Sequence, residues 1–214
     1  MRVTFHTEFR DRTPPRDDRA AELRSWCVRF HDSNLTPPYR GSSLGNLSFR
    51  VHGDGHAFII TASEVRVKDD PAEDMFVMVH SCDPAKGIVS ASGLKEPSSE
   101  TMLHAAIYRE RGDVGAVFHG HSDLLLRCGE TLGVPVTERE EEAASLALVA
   151  SVLHVLKDET FIIMKNHGFL SLGRDMHKAG EQAVRLYEHC RDALDPRRSL
   201  PDEAQRRGGR GDNG

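Results

Sequence analysis

Val114-Gly115-Ala116-Val117-Phe118-His119-Gly120-His121-Ser122 is the stretch from which the rest of this chain is read. Apart from Gly115, residues 114–118 are a continuous apolar run, which predicts an interior strand. Residues i and i+2 of a strand project from the same face. His119 and His121 therefore stand side by side, about 6–7 Å apart along the strand. Imidazoles at that spacing can converge on one ion at the ~2.0–2.1 Å nitrogen distance of zinc. Gly120 leaves the opposite face bare, so that backbone or substrate can pack close. A catalytic zinc site wants three protein ligands and one open position. The candidate for the third is His167, in the turn Asn166-His167-Gly168 just past another apolar run, where Gly168 is expected to give the backbone its freedom. On an exposed strand a His-x-His pair is often only polar surface. Buried without a metal, each imidazole needs hydrogen-bond partners. His6, His31, His52, His56, His154, His177 and His189 show no comparable spacing.

Outward from that strand, helical and strand patterns interleave. Leu23, Trp26, Cys27 and Phe30 recur at i, i+3, i+4, i+7 and give a helix from about residue 17 one apolar stripe. Pro37-Pro38 ends it. Leu47 to Val51 alternates, residues 52–55 read as a turn, and Ala57 to Ile60 is apolar, which predicts a β-hairpin. Residues 75–80, 88–91 and 160–165 read as strands. Pro97 with Ser98 or Ser99 as N-cap opens a helix whose apolar face is Met102, Leu103, Ala106 and Ile107. Residues 140–156 read as an amphipathic helix with an acidic start that suits the helix dipole, and residues 175–194 as the last helix. This places a flexible N-terminal arm at 1–16, one α/β domain at 17–195, and a disordered C-terminal tail at 196–214, where no apolar period remains.

Bulk composition excludes several roles. The length of 214 residues supports one domain with a real core. A net charge of -5 argues against a nucleic-acid partner or an anionic membrane surface. No apolar run approaches the ~20 residues of a membrane span, and the N-terminus lacks the apolar stretch of a signal peptide. Cys27, Cys82, Cys128 and Cys190 are far apart and form no CxxC pair. Free thiols in a reducing cytoplasm are the expectation.

Glu100 is the second chemical feature. A carboxylate in a first helical turn is usually a dipole partner. In the turn Pro97-Ser98-Ser99-Glu100, however, helix N-terminal amides and two hydroxyls can form an anion pocket, with Glu100 as an acid/base group beside it.

Together these segments resemble the class II aldolase/adducin family, from about Arg19 to Leu194. The matching segments, in order, are Gly45-Asn46-Leu47-Ser48; Ile60-Thr61-Ala62-Ser63; Pro97-Ser98-Ser99-Glu100 followed by His104 and Tyr108; Val117-Phe118-His119-Gly120-His121; and Asn166-His167-Gly168 before Gly173. The resemblance implies a three-layer α/β/α domain with a mostly antiparallel central sheet. It implies a C4 homotetramer with active sites at subunit interfaces. It implies zinc (or another divalent ion such as Mn2+ or Co2+) on His119, His121 and His167, with Glu100 as catalytic acid/base. Gly45, Asn46, Thr61, Ser63, Ser98 and Ser99 match the segments that hold the substrate phosphate in the aldolase branch.

This chain departs from the pattern at Glu64, which stands where the family's Thr-Pro-Ser/Thr-Gly loop has glycine. A carboxylate beside a dianion is unfavourable, which counts against a phosphorylated substrate. The tyrosine of the fuculose-phosphate aldolases is not evident. The run Glu138, Glu140, Glu141, Glu142 lies in that region, near where the methylthioribulose-phosphate dehydratase branch has a catalytic glutamate. The expected function is a zinc-dependent lyase, an aldolase or decarboxylase of carbohydrate metabolism. Its substrate is a small ketose-like or hydroxy-carbonyl compound, and it works through a metal-stabilised enediolate. The alternatives are a dehydratase or 4-epimerase acting on a sugar phosphate, and an adducin-like interaction module without catalysis. A Schiff-base aldolase using Lys86 or Lys95 ranks below these, since nothing in the sequence desolvates either lysine.

Overall fold

The computed structural model describes residues 5–51, 55–67, 70 and 72–194, the Glu130 side chain excepted. In chain order the elements are β1 (His6–Asp11), α1 (Ala20–Asp32), β2 (Pro38–Tyr39), β3 (Ser42–Ser43), β4 (Asn46–Arg50), β5 (Phe58–Thr61), β6 (Phe76–Asp83), β7 (Ile88–Ser92), α2 (Thr101–Glu110), β8 (Ala116–Gly120), α3 (Asp123–Leu132), α4 (Leu146–Leu156), β9 (Phe161–Met164), β10 (Gly168–Gly173) and α5 (Met176–Ala193). Eight strands form one sheet in the order β1-β7-β6-β5-β4-β8-β10-β9. Every neighbouring pair is antiparallel except β1 with β7. The expected hairpin is β4 against β5, with Ser48 opposite Ile60.

The central strands are buried on both faces, which is why their sequences run apolar rather than alternating. Register shows what each face does. Leu47 pairs with Phe118, and Phe169 pairs with Gly120. The Phe118 ring meets Trp26 and Phe30 of α1 edge-on, at 5.9 and 5.4 Å between centroids. On the other face Ser48 is paired with Val117, and its hydroxyl lies 2.7 Å from His104 Nδ1 and 2.8 Å from the Tyr108 hydroxyl, both on α2. Helices α1 and α3 both pack on α5, and α2 packs with α4, so the domain has three layers, α/β/α. The stripe Leu23, Trp26, Cys27 and Phe30 is the buried face of α1, as its period predicts. Burying one such large apolar side chain stabilises the fold by about 1.5–3 kcal/mol.

The structure differs from the sequence expectation in several places, among them the N-cap of α2, which is Glu100 rather than Ser98 or Ser99. The arm expected over residues 1–16 contains β1, paired in parallel with β7. Its side chains are half-exposed or exposed, so it carries no apolar run to announce it. It is held instead by backbone pairing and by the Ser92 hydroxyl, which donates to Asp11 Oδ2 at 2.8 Å and lies 2.9 Å from His80 Nε2. The helix expected from residue 140 begins at Leu146. Ser145 caps it by accepting the Leu148 N–H at 3.0 Å, and Ala144 turns the chain with φ 58. The glutamates before it form a strap. Helix α3 and strand β10 have no counterpart in the sequence reading. A Cβ on Gly129 of α3 would stand 2.9 Å from Ile163 Cδ1, so the helix lies close against β9. The turn expected at 52–55 falls mostly, and the tail at 196–214 wholly, outside the described residues. No disulfide joins the cysteines. Among the described residues no helix is long and apolar enough to cross a membrane.

Candidate metal centre and its cavity

The two-residue period places the site. Val117 and His119 share the face of β8 that looks toward α2, and Asn46, opposite His119, shares it on β4. Helix α2 begins there, and Glu100 stands at its N-cap without capping it. The carboxylate is turned instead to the sheet. Glu100 Oε2 accepts from Asn46 Nδ2 at 3.1 Å and lies 3.1 Å from His119 Nε2, while Oε1 lies 3.2 Å from His167 Nε2. His121, one residue beyond the end of β8, brings its Nε2 to 3.0 Å from that of His119. His167, in the β9–β10 turn, completes a triangle of rings 4.7 to 5.1 Å apart between centroids. Ligand atoms of the three histidines all lie within 4.8 Å of one another.

The glycines work differently from the sequence expectation. A Cβ on Gly120 would lie 2.5 Å from the Leu35 carbonyl oxygen and 2.6 Å from the Phe169 ring, so the bare face receives protein rather than substrate. In the Asn166-His167-Gly168 turn the left-handed residue is Asn166, at φ 55. Gly168 is required for space, since a Cβ there would collide with the Gly120 carbonyl and crowd the His119 ring. Gly45 has both constraints: φ is +87, and a Cβ would stand 2.5 Å from the His119 carbonyl oxygen.

The donors fit a cation. His119 Nδ1 lies 2.9 Å from the Phe169 carbonyl, which can only accept, so the ring donates there and in its neutral form carries its lone pair on Nε2. That lone pair faces the Glu100 carboxylate. Two acceptors so placed repel unless a positive charge joins them. Burial opposes protonating the ring: it pushes the His119 pKa down, against the pull of Glu100. Burial, with the neighbouring His119 and His167, pushes His121 down to about 3. Burial pushes the Glu100 carboxyl up, but His119, His167 and Asn46 more than offset it and hold it well below the usual carboxylate range. Three imidazoles and one carboxylate are a donor set suited to zinc or a similar divalent ion.

This cluster opens into a cavity of about 950 Å³. All the expected substrate-side residues, Gly45, Asn46, Thr61, Ser63, Ser98 and Ser99, line it. Several already have partners within the protein. Thr61 accepts the Leu47 N–H at 3.3 Å, Ser63 donates to the Pro97 carbonyl at 3.3 Å, and Ser98 accepts the Glu100 N–H at 3.4 Å. Of the four glutamates, Glu142 lines the cavity. Glu140 accepts from Asn166 at 2.9 Å, Glu141 from Ser151 at 3.3 Å, and the Glu138 carbonyl takes the Lys165 ammonium at 3.1 Å. The sequence did not single out Tyr39, Arg40 or Arg66, which also line the wall. Tyr39 ends the two-residue strand β2 and the two arginines lie on loops, and none of these stretches carries a period. Lys86 and Lys95 do not line it; they pair with Asp83 at 3.4 Å and Asp70 at 2.8 Å.

Residues 22–194 match the family described as Class II Aldolase and Adducin N-terminal domain. The chain belongs to the class II aldolase and adducin family. Among its relatives, L-fuculose phosphate aldolase of Methanocaldococcus jannaschii is 35% identical over 113 residues, 46% of this chain and 61% of that protein. Methylthioribulose-1-phosphate dehydratase of Bacillus mycoides is 27% identical over 171 residues, 69% of this chain and 77% of that protein. The fold of this class II aldolase family member is shared with a solved L-fuculose 1-phosphate aldolase, with a TM-score of 0.68 at 21% identity, covering 89% of this chain and 94% of the other. A sugar-phosphate aldolase from Thermotoga maritima superposes with a TM-score of 0.63 at 17% identity, covering 83% and 95%.

Proposed function

We propose that this family member is a divalent-metal-dependent lyase, with zinc as its metal, acting on a small ketose-like or hydroxy-carbonyl compound. The observation that carries the reading is the convergence of His119, His121 and His167 opposite the buried Glu100 carboxylate, at the edge of a cavity of about 950 Å³. The three histidines would hold the ion, which when bound supplies a Lewis acid that polarises a carbonyl oxygen. Glu100 moves the proton at the carbon next to that carbonyl. Asn46 holds the carboxylate in place through its Oε2 contact. The hydroxyls of Thr61, Ser98 and Ser99 and the strand start at Gly45 and Asn46 orient the substrate.

A dehydratase is the second reading, and Glu142 favours it. Elimination of water needs a second acid to protonate the departing hydroxyl. Of the four candidate glutamates, Glu142 is the one on the cavity wall. The non-catalytic module is disfavoured because a scaffold has no use for four facing donors.

The experiment is metal analysis with kinetics. The purified chain is expected to carry close to one zinc per subunit, to lose lyase activity on chelation, and to regain it on adding zinc. Glu100→Gln is expected to retain the metal and lower turnover by about 10²–10⁴-fold. Full activity in the metal-free chain overturns the reading.

A further inference from the structure

The cavity wall beside Glu100 is built from two loops, Thr61-Ala62-Ser63-Glu64 and Pro97-Ser98-Ser99. A bridge between Ala62 and Pro97 and the bond from the Ser63 N–H to the Glu96 carbonyl, at 2.8 Å, hold them edge to edge. Glu64 lines the cavity and is exposed to it. Its φ is 56, a left-handed conformation that favours glycine. Among the described residues none gives its carboxylate a hydrogen bond or an ion pair.

Anion binding at this wall would require proton donors and a surplus of positive charge. Several of the groups that could supply them are already engaged within the protein. The Ser63 hydroxyl already donates to Pro97. Arg66 is turned onto Asp70, whose other carboxylate oxygen takes Lys95, so that cluster is engaged internally. Arg40 lies stacked 5.1 Å over the Tyr39 ring. Glu64 therefore adds to this wall a negative charge that no cation among the described residues pairs. A carboxylate that shares the cavity wall with the hydroxyls of Thr61, Ser98 and Ser99 is suited to accept hydrogen bonds from sugar hydroxyls.

We propose that Glu64 excludes a phosphate dianion from this part of the cavity, so that the substrate presents a neutral, hydroxyl-bearing end there. This rests on reading the cavity as the substrate site. It sets the chain apart from the relatives above, whose names give phosphorylated substrates.

The test is calorimetric titration of the full chain with inorganic phosphate, in the wild type, Glu64→Gln and Glu64→Gly. Glu64→Gln removes the charge and keeps the backbone demand; Glu64→Gly removes both and suits the left-handed φ. Thermal unfolding verifies that each variant folds. Both variants are expected to bind phosphate about tenfold to a hundredfold more tightly than the wild type. The wild type is expected to bind a free ketose better than the same ketose 1-phosphate. Equal phosphate affinity in the wild type and Glu64→Gln, whether strong or absent, overturns the proposal. So does a gain confined to Glu64→Gly, which would assign the effect to backbone shape, and so does a wild-type preference for the ketose phosphate. None of these readouts requires turnover, so the lyase reading stands or falls separately on the metal experiment.

Discussion

Gly120 separates two histidines that must meet, and the reason it is glycine is steric. The Leu35 carbonyl and the Phe169 ring both occupy the place of its missing side chain. Gly120→Ala therefore forces the loop after α1, or β10, away from β8. Overpacking of this kind costs about 3 kcal/mol, and the displaced strands carry His119 and lead out of the His167 turn. The expected result is a lower urea midpoint together with weaker zinc binding by competition with a chelator. A variant with wild-type stability and affinity would show that the site does not depend on this contact. His119, His121, His167 and Glu100 were legible in the sequence as candidates, because their segments in that order resemble one family. That the Glu100 side chain leaves its helix cap and turns to the sheet was not legible, because the choice depends on Asn46, 54 residues away.

At the scale of elements, α2 is tied to the sheet by polar contacts as well as apolar ones. Ser48 joins His104 and Tyr108 in one buried chain. Burial pushes the His104 pKa down to about 3, with Glu100 opposing and His119 adding to it. The folded protein therefore keeps this ring neutral, while the unfolded chain protonates it below its ordinary value of about 6.5. The stabilising contribution is complete above pH ~6.5 and is lost as pH falls toward 3, by up to about 1.4 kcal/mol per pH unit. In chemical denaturation between pH 7 and 4, His104→Asn is expected to show a shallower loss of stability than the wild type. Parallel curves would mean that His104 does not govern this acid limb. The period of α1 was readable because its buried stripe faces one layer. The start of α4 was misread because a run of glutamates resembles a favourable first turn, whereas Ser145 alone supplies the cap hydrogen bond.

For the whole molecule, the edge of the sheet gives the clearest expectation. Strand β1 covers the β7 edge, and Asp11 fastens it to Ser92. Deleting residues 1–12 should expose that edge, cost about 2 kcal/mol, lower Tm by roughly 4–8 °C and promote association through unpaired strand groups. A flexible arm would be removed without effect, so a thermal scan of the truncated chain decides between the two. For assembly we propose a homotetramer with the cavities at subunit interfaces, as the family resemblance implies. Light scattering is expected to give about four times the mass of one chain, and a fully active monomer would overturn it.

The sequence by itself offered the candidate donors and set the main layers. Apolar runs must be buried, a two-residue period puts His119 and His121 on one side, and a helical period gives α1 its stripe. These are local consequences of backbone geometry, readable within about ten residues. The tertiary structure alone decided which glutamate reaches the cavity, which glycines are there for space, that residues 6–11 join the sheet, and that Glu64 lines the cavity with no partner among the described residues. Each depends on atoms contributed by segments distant in the chain, and packing between such segments leaves no period to read. His119 and His121 could be proposed from spacing and His167 from its turn; their fitness for a cation rests on the Phe169 carbonyl, which orients His119 from a strand that the sequence did not announce.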